Sequence, residues 1–267
     1  MMTRYRKSLS ERESRVLSEL SYRNKQIFVR GDIEEIVDDP RNFLHHLVEK
    51  NWIIRAKNGI YVIAPLEAGI KGSAAHTVHS FAIASVFKRP CYIGYWSALN
   101  YHGLTEQVSP AVHVAVTEPR HSAEILGTRF VFVKTSRRKM FGTSEMDIEG
   151  RKVAISSPEK TVIDCLDHPE YCNGVEEVAR SLYFSKDEID TSRVVSYAGI
   201  TGNSAVIKRL GYITETFGWS DYSKALAGLK IGSGYSLLDP TRKHKGHIKE
   251  HWKLIVNIPI DPVKWAQ

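Results

Sequence analysis

Residues 39–63, DPRNFLHHLVEKNWIIRAKNGIYVI, contain the two sequence patterns that best indicate the fold of the N-terminal region. The first half predicts a helix, because Asp39 can accept hydrogen bonds as the N-cap and Pro40 suits the first helical position. The second half predicts a β-hairpin, because Asn58-Gly59 tolerates the positive φ angles of a tight turn and is flanked by β-branched and aromatic residues. The segment therefore predicts a helix followed directly by a two-stranded hairpin.

Two further short helices are predicted before this segment. Residues 10–13, Ser-Glu-Arg-Glu, have the form of a capping box, and Val16, Leu17 and Leu20 follow at helical spacing, which predicts a helix near 10–23. Residues 26–29 predict an extended piece, and residues 31–37 predict a second helix. Three helices and a hairpin in this order are the layout of a winged helix-turn-helix, a DNA-binding fold.

The third predicted helix and the hairpin carry the candidate DNA contacts. An α-helix fits the major groove, where arginine can pair with guanine and asparagine with adenine. The hairpin would carry its cations toward backbone phosphates or the minor groove. The residues predicted to contact DNA in this region are Arg30, Arg41, Asn42, His45, His46, Arg55, Lys57 and Asn58. Winged helices also bind proteins, and in that case these side chains form only a solvated surface.

The remaining 200 residues predict a larger domain that mixes helices and strands. Residues 65–72 predict a linker. Helices are predicted at 73–87, 158–166, 175–183, 190–197 and 204–217, and strands at 91–94, 112–117, 129–134, 153–156 and 254–258. The predicted fold class is α+β, with a winged helix-turn-helix domain over residues 1–66 and a mixed α/β domain over residues 67–267.

The charge of the chain favours a polyanionic partner. Its formal net charge is +7, from 37 Lys and Arg against 30 Asp and Glu, and cations of this kind can replace the counterions around phosphate. Arg137, Arg138 and Lys139 form a basic cluster in the larger domain and are a second candidate DNA contact. No apolar signal region or membrane-length apolar stretch is evident, so we expect a cytoplasmic protein without a membrane partner.

Catalytic and metal-binding patterns are weak. The chain has three cysteines, and an odd, sparse set argues against a disulfide framework. Cys165, His168 and Cys172 match no common zinc spacing, so we predict no metal and no cofactor. The chain also has no phosphate-binding glycine loop and no G-x-S-x-G or HExxH motif.

An enzymatic alternative depends on carboxylates around one predicted helix. Glu159, Asp164 and Asp167 could serve acid–base chemistry, which leaves open an enzyme that processes nucleic acids or nucleotides and is targeted by a winged helix. Helix capping and surface ion pairs explain such residues more often. His244, His247 and His251 could form a ligand cluster or serve the enzymatic alternative. Lysines alternate with them, and we interpret residues 241–251 as a basic loop facing phosphate.

Two blocks of the larger domain carry a family resemblance. Residues 92–107, YIGYWSALNYHGLTEQ, and residues 157–167, SPEKTVIDCLD, resemble segments of AbiEi-type antitoxin transcriptional regulators. Residues 174–183, 203–212 and 238–252 fit the same order of blocks, so the resemblance spans about residues 10–258, although residues 241–251 depart from the family pattern in composition.

The resemblance implies a function as well as a fold. Such proteins use a winged helix to repress the promoter of their own toxin–antitoxin operon, and a larger domain to counteract a nucleotidyltransferase-like toxin without a stable complex. On this basis we predict a DNA-binding transcriptional repressor and antitoxin, not an enzyme. Its partners would be the double-stranded DNA of its own promoter, bound at repeated sites, and such a toxin.

Overall fold

The computed structural model describes residues 5–75 and 78–265 and has an α+β fold. The chain divides into two compact units. The first comprises Met1–Lys88, Ala123–Arg129 and Met146–Val153, and the second comprises Arg89–Ser122, Phe130–Glu145 and Ala154–Gln267. The domain boundary after residue 66 stays a prediction.

The first 88 residues contain short helices and a small sheet. In chain order the elements are α1 (Glu11–Tyr22), β1 (Ile27–Val29), α2 (Pro40–Glu49), β2 (Ile53–Lys57), β3 (Ile60–Ile63) and α3 (Ser80–Ile83). The predicted capping box is present in α1, where the Glu13 amide donates to Ser10 Oγ at 3.3 Å and the Ser10 amide donates to Glu13 Oε2 at 2.7 Å.

The prediction of a helix at residues 31–37 is wrong. The chain forms a 3-10 turn at Arg30–Asp32, followed by one helical turn in which the Val37 amide donates to the Ile33 carbonyl at 3.0 Å. The Asp32 carboxylate ends the preceding strand by accepting from the Val29 amide at 2.8 Å. A segment of this length gains little free energy by extending a helix. A single turn is enough to bury both Ile33 and Val37.

The predicted hairpin is present and belongs to a three-stranded antiparallel sheet in the order β1-β3-β2. Residues 58 and 59 form its turn, where Gly59 has a φ of +81°, and a bulge lies between Arg55 and Lys57. The apolar faces of α1, α2 and the sheet form one core, which includes Val16, Leu20, Phe28, Ile33, Leu44, Leu47 and Ile53.

The helix predicted at residues 73–87 is wrong in its first part. Leu66–Ala75 forms a 3-10 helix, residues 76–77 lie outside the described residues, and the linker predicted at 65–72 stays a prediction. Within residues 78–87, the α-helical part is α3, which begins where the His79 ring accepts a hydrogen bond from the Phe81 amide at 3.2 Å. A 3-10 turn at Ala84–Val86 ends it. The cap at His79 and this 3-10 turn explain why α3 is short.

The rest of the chain contains most of the sheet and helix content. Its strands are β4 (Cys91–Ile93), β5 (Val112–Val116), β6 (Ala123–Ile125), β7 (Thr128–Lys134), β8 (Thr143–Ile148), β9 (Arg151–Ser156), β10 (Ser236–Leu237), β11 (His247–Lys249) and β12 (Leu254–Val256). Its helices are α4 (Tyr95–Tyr101), α5 (Pro158–Asp167), α6 (Val175–Phe184), α7 (Thr191–Thr201), α8 (Ser204–Thr216), α9 (Ser220–Ala227) and α10 (Pro262–Trp265).

A six-stranded mixed sheet has the order β6-β7-β5-β4-β9-β8. Strands β5 and β7 are parallel, with Val116 opposite Lys134, so their carboxyl ends lie side by side. Strand β4 is antiparallel to β5 and parallel to β9. This register brings the loops that follow β5 and β7 to the same edge of the sheet.

Helix α5 lies at the centre of the second unit and contacts α4, α6, α7 and α8. Its apolar residues Val162, Ile163 and Leu166 are fully buried in a core to which Leu210 and Trp252 also contribute. The two blocks that carry the family resemblance therefore contribute largely to the interior. None of the helices in the described part of the chain is long and apolar enough to cross a membrane.

Candidate nucleic-acid interface

Helix α2 has one buried apolar side and one exposed polar side. Leu44 and Leu47 are each 1% exposed and join the core of the first unit. Asp39 caps the helix by accepting a hydrogen bond from the Asn42 amide at 3.1 Å. Arg41 and Asn42 are exposed in the first turn, so the cap holds the turn that carries these two polar side chains.

A groove of about 620 Å³ lies beside α2, and we call it the helix–hairpin groove. Its lining residues are Asp39, Arg41, Asn42, Leu44, His45 and Val48 from α2 and its cap, and Arg55 and Tyr61 from the hairpin. Four of the predicted DNA contacts, Arg41, Asn42, His45 and Arg55, are therefore brought together on one concave surface.

The hairpin side of the groove is held by local contacts. The Arg55 guanidinium donates to Asn58 Oδ1 at 2.7 Å, which ties it to the turn. Tyr61 lies opposite Arg55 in the strand register and is 8% exposed. Its ring stacks on Phe28 with centroids 5.7 Å apart. Arg55 therefore lies on a strand whose neighbouring residue, Tyr61, is packed into the core.

The other predicted contacts of this unit do not line the groove. Lys57 and Asn58 are exposed at the hairpin turn, and His46 is exposed on α2 beside His45, with the two rings 6.3 Å apart. Arg30 donates to Glu34 at 3.1 Å. All four stay predictions as DNA contacts.

The cations around α2 differ in how far they are neutralised. Within the described residues Arg41 makes no ion pair, whereas Lys50 at the far end of α2 bonds Glu13 Oε2 at 2.6 Å. Burial opposes ionisation of Glu13, but its hydrogen bonds from Lys50 and Ser10 lower its pKa below the ordinary value. Positive charge is therefore available to a ligand at the N-terminal end of α2 rather than at its C-terminal end.

The second basic cluster lies in a 3-10 turn at Arg137–Lys139. Arg137 is exposed. Arg138 donates to the Thr201 carbonyl at 3.1 Å, and Lys139 bonds the carboxylate of Asp167, which is 4% exposed. Two of the three cations therefore have partners within their own unit, and contact of this cluster with DNA stays a prediction.

The carboxylates of the enzymatic alternative are engaged in the interior. Asp164 accepts from the Tyr92 hydroxyl at 2.8 Å and from Lys160, and its burial raises its pKa. Glu159 accepts from the Ser157 hydroxyl at 2.7 Å. These contacts give both carboxylates a structural role. Among the described residues no group of three or more His, Cys, Asp and Glu side chains is arranged to hold a metal ion.

The predicted contacts omit four residues that line the groove: Asp39, Leu44, Val48 and Tyr61. Asp39 is predicted as the cap of α2, and a helix cap lies beside the first helical turn. A two-residue turn at 58–59 would place Tyr61 opposite Ala56. The bulge between Arg55 and Lys57 shifts Tyr61 opposite Arg55, and no local sequence signal predicts that shift.

Comparison with known proteins gives a likeness of fold. No family model matches the chain, and no curated protein matches it. The crystal structure of the RV2827C protein from Mycobacterium tuberculosis is similar, with a TM-score of 0.64 and 11% sequence identity over 95% of this chain and 94% of that chain. This likeness is one of fold and covers residues of both units.

Proposed function

We propose that the chain is a DNA-binding transcriptional repressor whose first 66 residues act as a winged helix-turn-helix. The observation that carries the proposal is the helix–hairpin groove, in which Arg41, Asn42 and His45 of α2 face the same concavity as Arg55 of the hairpin. Side chains that pair with bases and a cation that pairs with phosphate are thereby presented together.

Helix α2 is the element that would enter the major groove. B-DNA offers a major groove about 12 Å wide, which admits an α-helix, and residues near the N-terminus of such a helix contact base edges. Arg41 and Asn42 occupy the second and third positions of α2. Arg41 would bind guanine and Asn42 adenine by paired hydrogen bonds, while Arg55 and Lys57 would contact the backbone.

The identity of the DNA and the antitoxin role depend on the family resemblance of residues 92–107 and 157–167. We propose that the protein represses its own promoter at repeated sites and counteracts a nucleotidyltransferase-like toxin encoded beside it. The neighbouring reading frame tests the second part. If its product arrests growth and this chain restores growth on co-expression, the antitoxin role is supported; if the chain gives no protection, that role is wrong while DNA binding can still be correct.

Fluorescence anisotropy with labelled promoter DNA tests the binding surface. Combining Arg41→Ala with Asn42→Ala should cost about 1–3 kcal/mol for each base pairing that is removed and should relax sequence preference. Lys57→Ala should weaken promoter and unrelated DNA alike and reduce the salt slope by about one. Arg23→Ala is the matched control, because Arg23 is an exposed cation of the same unit that pairs with Glu19 at 2.6 Å outside the groove.

The pattern across these variants decides the assignment. Equal losses of affinity for Arg23→Ala and for the Arg41/Asn42 pair would mean that general charge, not the groove, governs binding. Parent-like promoter binding by both the Arg41/Asn42 pair and Lys57→Ala would show that the docking surface lies elsewhere. Binding without salt dependence, or no binding to DNA at all, would contradict the repressor function.

A further inference from the structure

A second cavity, of about 370 Å³, lies in the second unit where β5 and β7 end, and we call it the strand-end cavity. Thr117 and Glu118 follow β5, and Thr135 and Ser136 follow β7; all four line it. Because β5 and β7 are parallel neighbours, their carboxyl ends open onto the same edge of the sheet. Ligands of open α/β sheets bind at such edges, outside the carboxyl ends of parallel strands.

Cationic side chains reach this cavity from separate parts of the chain. Lys134 is the last residue of β7, Arg137 and Lys139 lie in the following 3-10 turn, and His168 is the C-cap of α5. Among the described residues that line the cavity, Glu118 is the single carboxylate. Lys134 and Arg137 make no ion pair within the described residues, so their positive charge stays available to an anion in the cavity.

Lys139 and His168 are each held in position by carboxylates that do not line the cavity. Lys139 bonds Asp167, a carboxylate outside the lining that also accepts from Asn203 Nδ2 at 2.6 Å. His168 Nδ1 lies 3.0 Å from Glu170 Oε1, and its Nε2 lies 3.7 Å from Asp167 Oδ2. The hydrogen bond to Glu170 raises the pKa of His168, although burial lowers it. The raised pKa favours the imidazolium form of His168.

Hydroxyl groups complete the set of donors. Thr117, Thr135 and Ser136 all line the cavity. Thr135 is only 8% exposed, and its amide donates to the Val116 carbonyl at 2.8 Å, which locks the ends of the two strands together. Hydroxyls beside lysine and arginine are the groups that bind phosphate oxygens, because each can donate a hydrogen bond to a charged acceptor.

We propose that the strand-end cavity binds the terminal phosphate of a small phosphorylated molecule. Its volume lies within the small-ligand range of about 300–1,000 Å³. The side chains of Lys139 and His168 are only 17% and 32% exposed. A terminal phosphate can enter such a recess, whereas the phosphates of duplex DNA lie on a convex surface. The proposal does not depend on the helix–hairpin groove, but Arg137 and Lys139 of this cavity are also predicted DNA contacts, so the test must separate the two ligands.

Isothermal titration calorimetry of the full chain with inorganic phosphate tests the proposal at fixed pH and ionic strength. We expect saturable binding at one site and a shift of the His168 imidazole resonances in a parallel NMR titration. Combining Lys134→Gln with Arg137→Gln should weaken phosphate binding about tenfold for each cation removed. Arg129→Gln is the matched control, since Arg129 is exposed near the opposite end of β7 and its replacement should leave phosphate binding unchanged.

Dimethyl phosphate and duplex DNA distinguish the source of the phosphate. A terminal phosphate carries more charge than a diester, so dimethyl phosphate should bind at least tenfold more weakly than inorganic phosphate. Equal binding of the two, or a Lys134/Arg137 variant that loses affinity for duplex DNA alone, would assign these cations to the DNA backbone and overturn the proposal. Absence of saturable heat, or an equal loss of affinity in Arg129→Gln, would overturn it as well.

Discussion

Helices α2 and α5 begin in the same way and end in different surroundings. Each is ten residues long and has proline at its first position, after Asp39 in α2 and after Ser157 in α5. Each cap accepts a hydrogen bond from the third helical amide, at 3.1 Å from Asn42 and at 3.2 Å from Lys160. The local signals that start the two helices are therefore equivalent.

Burial separates the two helices. Helix α2 buries Leu44 and Leu47 and leaves its polar side exposed, whereas α5 buries every residue from 159 to 166. Each also has a basic and an acidic side chain in contact at i,i+4 spacing. His45 and Glu49 of α2 have side chains 67% and 59% exposed, and Lys160 and Asp164 of α5 have side chains 0% and 4% exposed. The i,i+4 spacing brings the two side chains of each pair together, and their burial decides how much the pair affects stability.

The largest effect is expected from breaking the buried pair. Asp164→Ala would leave the Lys160 ammonium with the Tyr92 hydroxyl at 3.1 Å as its remaining polar partner. Removing one member of a buried pair costs about 3–5 kcal/mol, because the other charge stays buried without compensation. Amide hydrogen exchange carried out on the full chain, and analysed on fragments that cover residues 158–167, measures this local loss of stability.

Two further variants control for this result. Combining Lys160→Met with Asp164→Leu should cost much less than Asp164→Ala, since no charge is left in the interior. Glu49→Gln should change the stability of α2 by no more than about 0.5 kcal/mol, because the pair with His45 is exposed. If Asp164→Ala costs no more than Glu49→Gln, burial does not distinguish the two pairs.

The sequence predicted the parts of the fold that depend on neighbouring residues. The caps at Ser10 and Asp39 and the turn at Asn58-Gly59 are local patterns, and the structure has them at those positions. The helix expected at 31–37 is absent because two buried side chains suffice to place a single turn, and periodicity does not distinguish that turn from a short helix.

The two cavities differ in predictability for the same reason. Arg41 and Arg55 of the helix–hairpin groove lie on consecutive elements, so the order of helix and hairpin brings them together. The strand-end cavity requires Thr117, Lys134 and His168 to meet, which depends on the parallel pairing of β5 with β7 and on the packing of α5. Likewise, the position of Tyr92 beside Asp164 joins residues 72 apart, and no local pattern predicts it.

Effects of intermediate size are expected at the two caps. Asp39→Ala and Ser157→Ala each remove the side-chain acceptor of one helical amide, and loss of such a cap costs about 1 kcal/mol. The two losses should be similar, although the helices differ in burial, because the capped amides occupy the same position. Hydrogen exchange in the first turns of α2 and α5 measures both. A cost at Ser157 as large as that of Asp164→Ala would show that the cap also supports the buried pair.

The smallest effects are expected at the opposite ends of the helices, and they should have opposite signs with pH. Lys50 caps α2 and bonds Glu13, whose pKa is lowered, despite opposing burial, by bonds from Lys50 and Ser10. Stability from Glu13 is therefore present above its unfolded pKa and is lost as pH falls through the folded pKa.

His168 caps α5, and its hydrogen bond to Glu170 raises its pKa. Its contribution is complete below the unfolded pKa of about 6.5 and is lost as pH rises through the folded value. Glu13→Gln should reduce the dependence of stability on pH at acid pH, followed by the fluorescence of Trp52, the tryptophan of the first unit. His168→Gln should reduce that dependence at neutral to alkaline pH, followed by amide hydrogen exchange in α5. If both variants changed the pH dependence of stability over the same pH range, the ends of α2 and α5 would not respond to pH in opposite directions. The two helices would then differ only in burial.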